Sequence, residues 1–189
     1  MHHETREAWL NAAVALLTDK FGREGLTPST VRVGVGFTGM GKKTKRIGET
    51  WSEDASGDGT REIIISTVLD DVRDVLGTLA HELIHASLPP AAKHGPDFKR
   101  VALAIGLEGK MTATTVGPML ADVLDWMAED LGPYPHARLT VMLGGPKKQA
   151  PRLLKVSCEP CEYIGRFSRA TLDLGAPLCG VCHEPMQAE

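Results

Sequence analysis

Residues 81 to 85 read His81-Glu82-Leu83-Ile84-His85. Four residues make little more than one helical turn, so both imidazoles fall on one face, about 6 Å apart along the axis, close enough to hold one metal ion. Glu82 places a carboxylate beside them that can take a proton from water at the metal. This donor set suits a zinc hydrolase. A catalytic zinc keeps three protein ligands and leaves its fourth position open, so one more ligand has to return from beyond the helix. His94, in Lys93-His94-Gly95-Pro96-Asp97-Phe98, is the best placed; Asp97 and His136 are the weaker competitors. The eight residues between His85 and His94 span more than about 20 Å when extended, ample for a turn back to the metal.

A second cluster lies in the tail, as Cys158-Glu159-Pro160-Cys161 and Cys179-Gly180-Val181-Cys182, two CxxC pairs separated by 17 residues. Such spacing is that of a zinc ribbon, each pair forming a knuckle that turns two thiolates toward one tetrahedral ion. Disulfides would need an oxidising compartment. A redox CxxC would need a βαβ unit beside it, and CxxCH haem attachment through His183 would leave the other pair unexplained.

HELIHA followed by HGPDF, with a four-cysteine ribbon at the C-terminus, resembles the SprT-like (Spartan-type) zinc metalloproteases over nearly the whole chain. The resemblance implies an α+β, minimal zincin-like fold with a C-terminal zinc ribbon. It implies His81, His85 and His94 on a catalytic zinc, Glu82 as general base, and substrates that are proteins bound or crosslinked to DNA. It also implies that a strand near Arg46–Trp51 is the edge along which a substrate peptide lies extended. The stretch between His85 and His94 is shorter than in many members, which bears on the rim of the pocket.

The net charge is −3, but it is unevenly spread: residues 1–137 carry −5, residues 138–169 carry +5 and residues 170–189 carry −3. The basic block covers a linker and the first half of the ribbon. Arg152, Lys155, Arg166 and Arg169 bracket the first knuckle with Tyr163 and Phe167 between them, a pattern that suits single-stranded nucleic acid, phosphates on cations and bases on rings. DNA, single-stranded or at a junction, is the expected partner, together with protein substrates. An ordinary solvated ribbon surface is the plain alternative. The N-terminus has no signal-peptide pattern, and no stretch approaches the roughly 18 apolar residues that cross a bilayer. The expectation is a cytoplasmic protein without membrane contact.

The elements that must position these groups are legible in outline. Trp9, Ala12, Ala13, Leu16, Leu17 and Phe21 recur with helical period up to Gly22. Val31, Val33, Val35 and Phe37 alternate with Arg32, Gly34 and Gly36, a strand approached closely on its small-residue face. Gly34 to Gly39 spells GxGxxG and Gly36 to Lys42 almost a P-loop, but Lys43 stands where Ser or Thr would hold magnesium, and a strand rather than a helix follows. Residues 38–46 are therefore expected to be a basic hairpin loop, whose Lys42, Lys43, Lys45 and Arg46 can meet DNA phosphates. A turn over Asp54–Gly59 precedes a buried strand over Arg61–Ser66.

Apolar Val72, Val75, Leu76, Leu79, Leu83 and Ala86 then predict a helix ended by Pro89 and Pro90. Further helices are expected over Pro96–Gly106 and Thr115–Leu131, the second with Met119, Leu120, Val123, Leu124, Trp126, Met127 and Leu131 as a core stripe. Tyr134 is expected to pack, with an oxyanion contact as the alternative. Leu139–Leu143 suggests one more strand. The domains expected are a protease domain over 1–135, a linker over 136–151 and a ribbon over 152–189, with one catalytic and one structural zinc. Two other functions fit less of the pattern: a nucleic-acid-binding module whose histidine zinc is structural, and a zinc peptidase indifferent to DNA.

Overall fold

The structure is a computed structural model that describes residues 3–39, 46–140 and 153–188. The chain forms two compact units, Met1–Val141 and Met142–Glu189. Both are mixed α+β with small sheets. Among the described residues no helix is long and apolar enough to cross a membrane.

In the first unit, helix α1 (Arg6–Phe21) starts at Thr5, whose side chain accepts from the Ala8 N–H, and buries Trp9, Leu10, Ala13 and Leu17. Three strands follow, β1 (Val31–Gly36), β2 (Gly48–Trp51) and β3 (Arg61–Ser66), in the order β1-β3-β2. β1 runs parallel to β3, with Gly34 opposite Ile64, while β2 runs antiparallel on the other side of β3, with Thr50 opposite Ile63. β1 and β2 are therefore not hairpin partners, because β3 stands between them; Lys42, Lys43 and Lys45 lie outside the described residues. The close neighbour of the glycine face in β1 is Ile64: methyls added at positions 34 and 36 would lie 3.8 and 3.4 Å from its side chain.

Helix α2 (Val72–Ser87) begins where the Asp71 carboxylate accepts from the Asp74 N–H. Its apolar period buries Val75, Leu76, Leu79, Leu83 and Ile84 completely, each contributing about 1.5–3 kcal/mol. Leu88 leaves the helix in extended geometry, as the residue before a proline must. Helix α3 (Pro96–Ile105) starts with proline in its first turn, where the missing N–H is no loss, and buries Phe98, Val101, Ala102 and Ile105.

Between α3 and helix α4 (Pro118–Leu131) stands a hairpin absent from the sequence reading, β4 (Leu107–Lys110) and β5 (Ala113–Val116). Thr115 and Val116 are thus strand rather than helix. In α4 the buried stripe is Leu120, Leu124, Met127 and Leu131; Met119 and Trp126 lie off it and are exposed, contrary to the expected stripe. Residues following α4 remain tied to this unit: the Arg6 guanidinium donates to the Pro135, His136 and Ala137 carbonyls, and the Leu139 N–H donates to the Thr67 carbonyl. Residues 139 and 140 are not strand, and 141–143 lie outside the described residues.

The second unit holds β6 (Leu153–Ser157), β7 (Ile164–Ser168), the short helix α5 (Arg169–Leu172) and β8 (Gln187–Ala188), in the sheet order β7-β6-β8. Its small core gathers Val156, Met186, Cys158 and Cys179, with Phe167 and Leu172 packed against them.

Candidate metal centres

α2 carries His81 and His85 one turn apart and half-buried, as a five-residue motif on a helix requires. His94 reaches them by a sharp return. Pro90–Ala92 forms one tight turn, Lys93 then takes a positive φ of 44°, rare for a residue with a side chain, and Gly95 caps α3. The result is three imidazoles aimed at one point: His94 Nε2 lies 3.1 Å from His85 Nε2 and 3.3 Å from His81 Nε2. Nitrogens about 2.0–2.1 Å from one tetrahedral zinc lie about 3.3–3.4 Å apart, so the donor set fits that ion. Asp97 and His136, both exposed, are not part of the cluster.

Two residues that sequence reasoning missed support the rings. Phe98, fully buried, places its ring 4.9, 4.5 and 4.9 Å from those of His81, His85 and His94 and forms a floor under all three. Its place four residues after His94, at the end of HGPDF, was the available signal. Thr114 on β5 has its Oγ1 2.8 Å from His81 Nδ1. No signal pointed to it, because the hairpin that carries it was not read.

Burial, with the neighbouring rings of His85 and His94, pulls the His81 pKa down to about 3. Burial and His94 pull His85 to about 4, and burial lowers His94 as well. At neutral pH all three are therefore uncharged, with lone pairs free for a metal. Glu82 moves the other way: burial pushes its carboxyl up to about 7, against a hydrogen bond from Thr50 that lowers it. Its Oε2 accepts from the Thr50 hydroxyl at 2.8 Å. Glu82 and the three histidines line one open cleft of about 1190 Å³, walled by β2 residues Gly48–Thr50 on one side and β5 residues Ala113–Val116 on another. Among the described residues β2 pairs on one side only. Tyr134 is not on the cleft; it packs edge-on against Trp9 at 5.0 Å, 7% exposed.

In the second unit the four cysteine Sγ atoms lie within 4.8 Å of one another. Cys158 and Cys182 are 3.2 Å apart, Cys161 and Cys179 3.4 Å, and Cys161 and Cys182 3.6 Å, all outside disulfide bonding and close to the about 3.8 Å edge of a zinc tetrathiolate. The two knuckles repeat each other. In each, the first cysteine's carbonyl accepts from the residue four places on, Glu162 or His183, which takes a positive φ of 56° or 62°. The backbone N–H groups of Cys182 and Val181 lower the Cys179 thiol, whereas burial raises that of Cys158.

The basic residues of the ribbon are only partly brought together. Lys155 and Arg166 are cross-strand partners on β6 and β7, whereas Arg169 opens α5 and Arg152 lies outside the described residues. Phe167 stands opposite Leu154 and packs on the cysteine core, so it does not share the face of Lys155 and Arg166. Tyr163, 48% exposed, is the remaining free ring. Set against protein-family models, curated proteins and solved structures, the chain matches none of them.

Proposed function

We propose that the first unit is a zinc-dependent endopeptidase with a minimal zincin-like architecture of the SprT-like type. The observation that carries this reading is the convergence of three imidazoles beside a buried carboxyl group in an open cleft. A structural zinc is enclosed by four protein ligands, whereas a catalytic one keeps an open position, and here three donors face a cleft. Zinc, when bound by His81, His85 and His94, supplies Lewis acidity, acidifying water and polarising a carbonyl.

The chain's own residues do the rest. Glu82, whose carboxyl burial raises in the metal-free chain, takes a proton from water and can return it to the leaving amine. Thr50 holds that carboxylate in place. The side of β2 that no described strand covers offers main-chain N–H and C=O groups to an extended peptide, a mode of binding with little sequence preference. The four cysteines hold a second, structural zinc, and Lys155, Arg166 and Tyr163 provide phosphate and stacking contacts to DNA, with Lys42, Lys43, Arg152 and Arg169 as further candidates. DNA-bound or DNA-crosslinked proteins are the substrates this combination favours.

The test is incubation of the chain with a DNA-binding protein, with and without single-stranded DNA, beside Glu82→Gln, read as fragments on a gel. Cleavage that requires Glu82 and DNA supports the full reading. Cleavage that requires Glu82 alone makes the protein a DNA-independent peptidase. DNA affinity without cleavage, in protein holding two zinc ions, makes it a binding module.

A further inference from the structure

We propose that Thr114 is a positioning residue of the histidine metal site, holding His81 in the tautomer and ring orientation that binds metal. The inference rests on the reading of His81, His85 and His94 as ligands. His81 Nε2 faces the cluster, 3.3 Å from His94 Nε2, and its other ring nitrogen, Nδ1, lies 2.8 Å from Thr114 Oγ1. A neutral imidazole has one N–H and one lone pair. If Nδ1–H donates to the threonine, the lone pair is fixed on Nε2, where the metal is expected; the other tautomer would point a proton at it. Such outer partners set ligand orientation and raise ligand basicity.

The fold delivers Thr114 to that nitrogen by a matched pair of contacts. On α2, Gly77 and His81 are four residues apart on one face; on β5, Thr114 and Val116 are two apart on one face. Those spacings are about 6.0 Å and about 6.6–6.8 Å, so helix and strand lie in step. At one contact Thr114 meets His81. At the other Val116 fills the space over Gly77, where an added methyl would stand 2.5 Å from Val116 Cγ2. Gly77 therefore sets how near β5 comes, and that approach brings the hydroxyl within bonding distance.

Cobalt(II) is the probe, because thiolate ligation in the ribbon gives an intense near-ultraviolet charge-transfer band that the imidazole site lacks, so both sites are followed in the full-length protein. Thr114→Val keeps the shape and removes the acceptor. It should weaken cobalt at the histidine site by about tenfold or more, leave the ribbon site unchanged, and abolish the slowly exchanging His81 Nδ1–H signal in the zinc-loaded protein. Thr114→Ser should stay close to wild type on both readouts. Gly77→Ala, which retains the hydroxyl but lifts the strand, should behave like Thr114→Val. Wild-type affinity in Thr114→Val overturns the positioning role, as does loss in Gly77→Ala alone. A wild-type chain that takes cobalt only in the ribbon overturns the ligand reading itself and this inference with it.

Discussion

The Thr50 hydroxyl sits 2.8 Å from Glu82 Oε2 and 3.0 Å from the Glu82 carbonyl oxygen, so one side chain of the edge strand is fastened to the metal helix at the residue proposed as base. That bond lowers a carboxyl pKa which burial raises. Thr50→Val keeps the volume and loses the bond, so the carboxyl should move higher and its ionised form should appear only at higher pH. We expect the acid side of the cleavage profile to shift upward by about one pH unit and kcat at pH 7 to fall about fivefold, as the loss of one hydrogen bond of about 1–1.5 kcal/mol allows. Thr50→Ser should restore both. A profile unmoved in Thr50→Val would remove Thr50 from the mechanism.

Glu82 should cost the metal-free fold stability at neutral pH. Its folded-state pKa stands at about 7 against an ordinary 4.5. Below 4.5 both folded and unfolded chains hold the proton. Between 4.5 and 7 the unfolded chain has released it while the folded chain retains it, so stability falls as pH rises and levels off above 7. Replacing the carboxyl with an amide removes this penalty. In a chelator, Glu82→Gln should equal wild type near pH 4 and exceed it by about 3 kcal/mol at pH 8, by urea unfolding of the first unit. Equal stability at both pH values would contradict the burial of this charge.

The metal helix was legible because its signals are local: a 3.6-residue apolar period over Val75 to Leu83, and two prolines after it. The cysteine cluster was legible because ligand spacing is itself the signal. What escaped depends on tertiary contact. The hairpin Leu107–Val116 turns through Met111 and Thr112, without the Asn-Gly or Asp-Gly pair that announces a turn, so nothing local marks Thr114 as a strand residue facing His81. The glycines of β1 reported a close neighbour but not its identity, Ile64, which sheet order alone decides. Met119 and Trp126 joined the α4 stripe by hydrophobicity, yet the four buried positions already fill the face turned to the core. Phe167 was counted with the cations by proximity in sequence, although strand alternation places it on the opposite face.

Gly48 should tolerate no side chain. A methyl there would lie 2.6 Å from Thr78 Cγ2 and 2.7 Å from Glu82 Oε1, inside contact distance of α2. Gly48→Ala must push β2 off the helix or turn Glu82 out of place, at about 1–3 kcal/mol. We expect that loss in unfolding experiments, with cleavage reduced further than Thr50→Val reduces it, since strand and carboxylate move together. Wild-type stability would mean that β2 does not sit this close to α2.

Arg61 closes the other end of the metal helix. Its guanidinium donates to the Ala86 and Leu88 carbonyls at 2.7 and 2.9 Å and pairs with Glu53, and it is only 12% exposed on its side chain. Ala86 holds one of the last carbonyls of α2, which lack helical partners, and Leu88 follows the helix into the turn that returns His94. Arg61→Lys keeps the charge but not the planar fork, so it can satisfy fewer of these acceptors. About 1–3 kcal/mol of stability should be lost, with metal affinity falling at the histidine site and not at the ribbon. A loss confined to stability would limit Arg61 to capping.

The ribbon should depend on its metal far more than the first unit does. Its core is Val156, Met186 and the cysteines, with Phe167 and Leu172 beside them. At about 1.5–3 kcal/mol for each buried apolar side chain, that cluster falls well short of the about 1–2 kcal/mol per residue needed to order the backbone. Structural zinc supplies about 10–16 kcal/mol in such small sites, and the thiolates of Cys158, Cys161, Cys179 and Cys182 are the groups that would receive it. Chelation, or Cys161→Ser, should therefore abolish amide protection over 153–188 while the core around Trp9, Leu76 and Phe98 stays protected. Protection of the ribbon that survived complete metal removal would show that the cysteines pack as a core of their own.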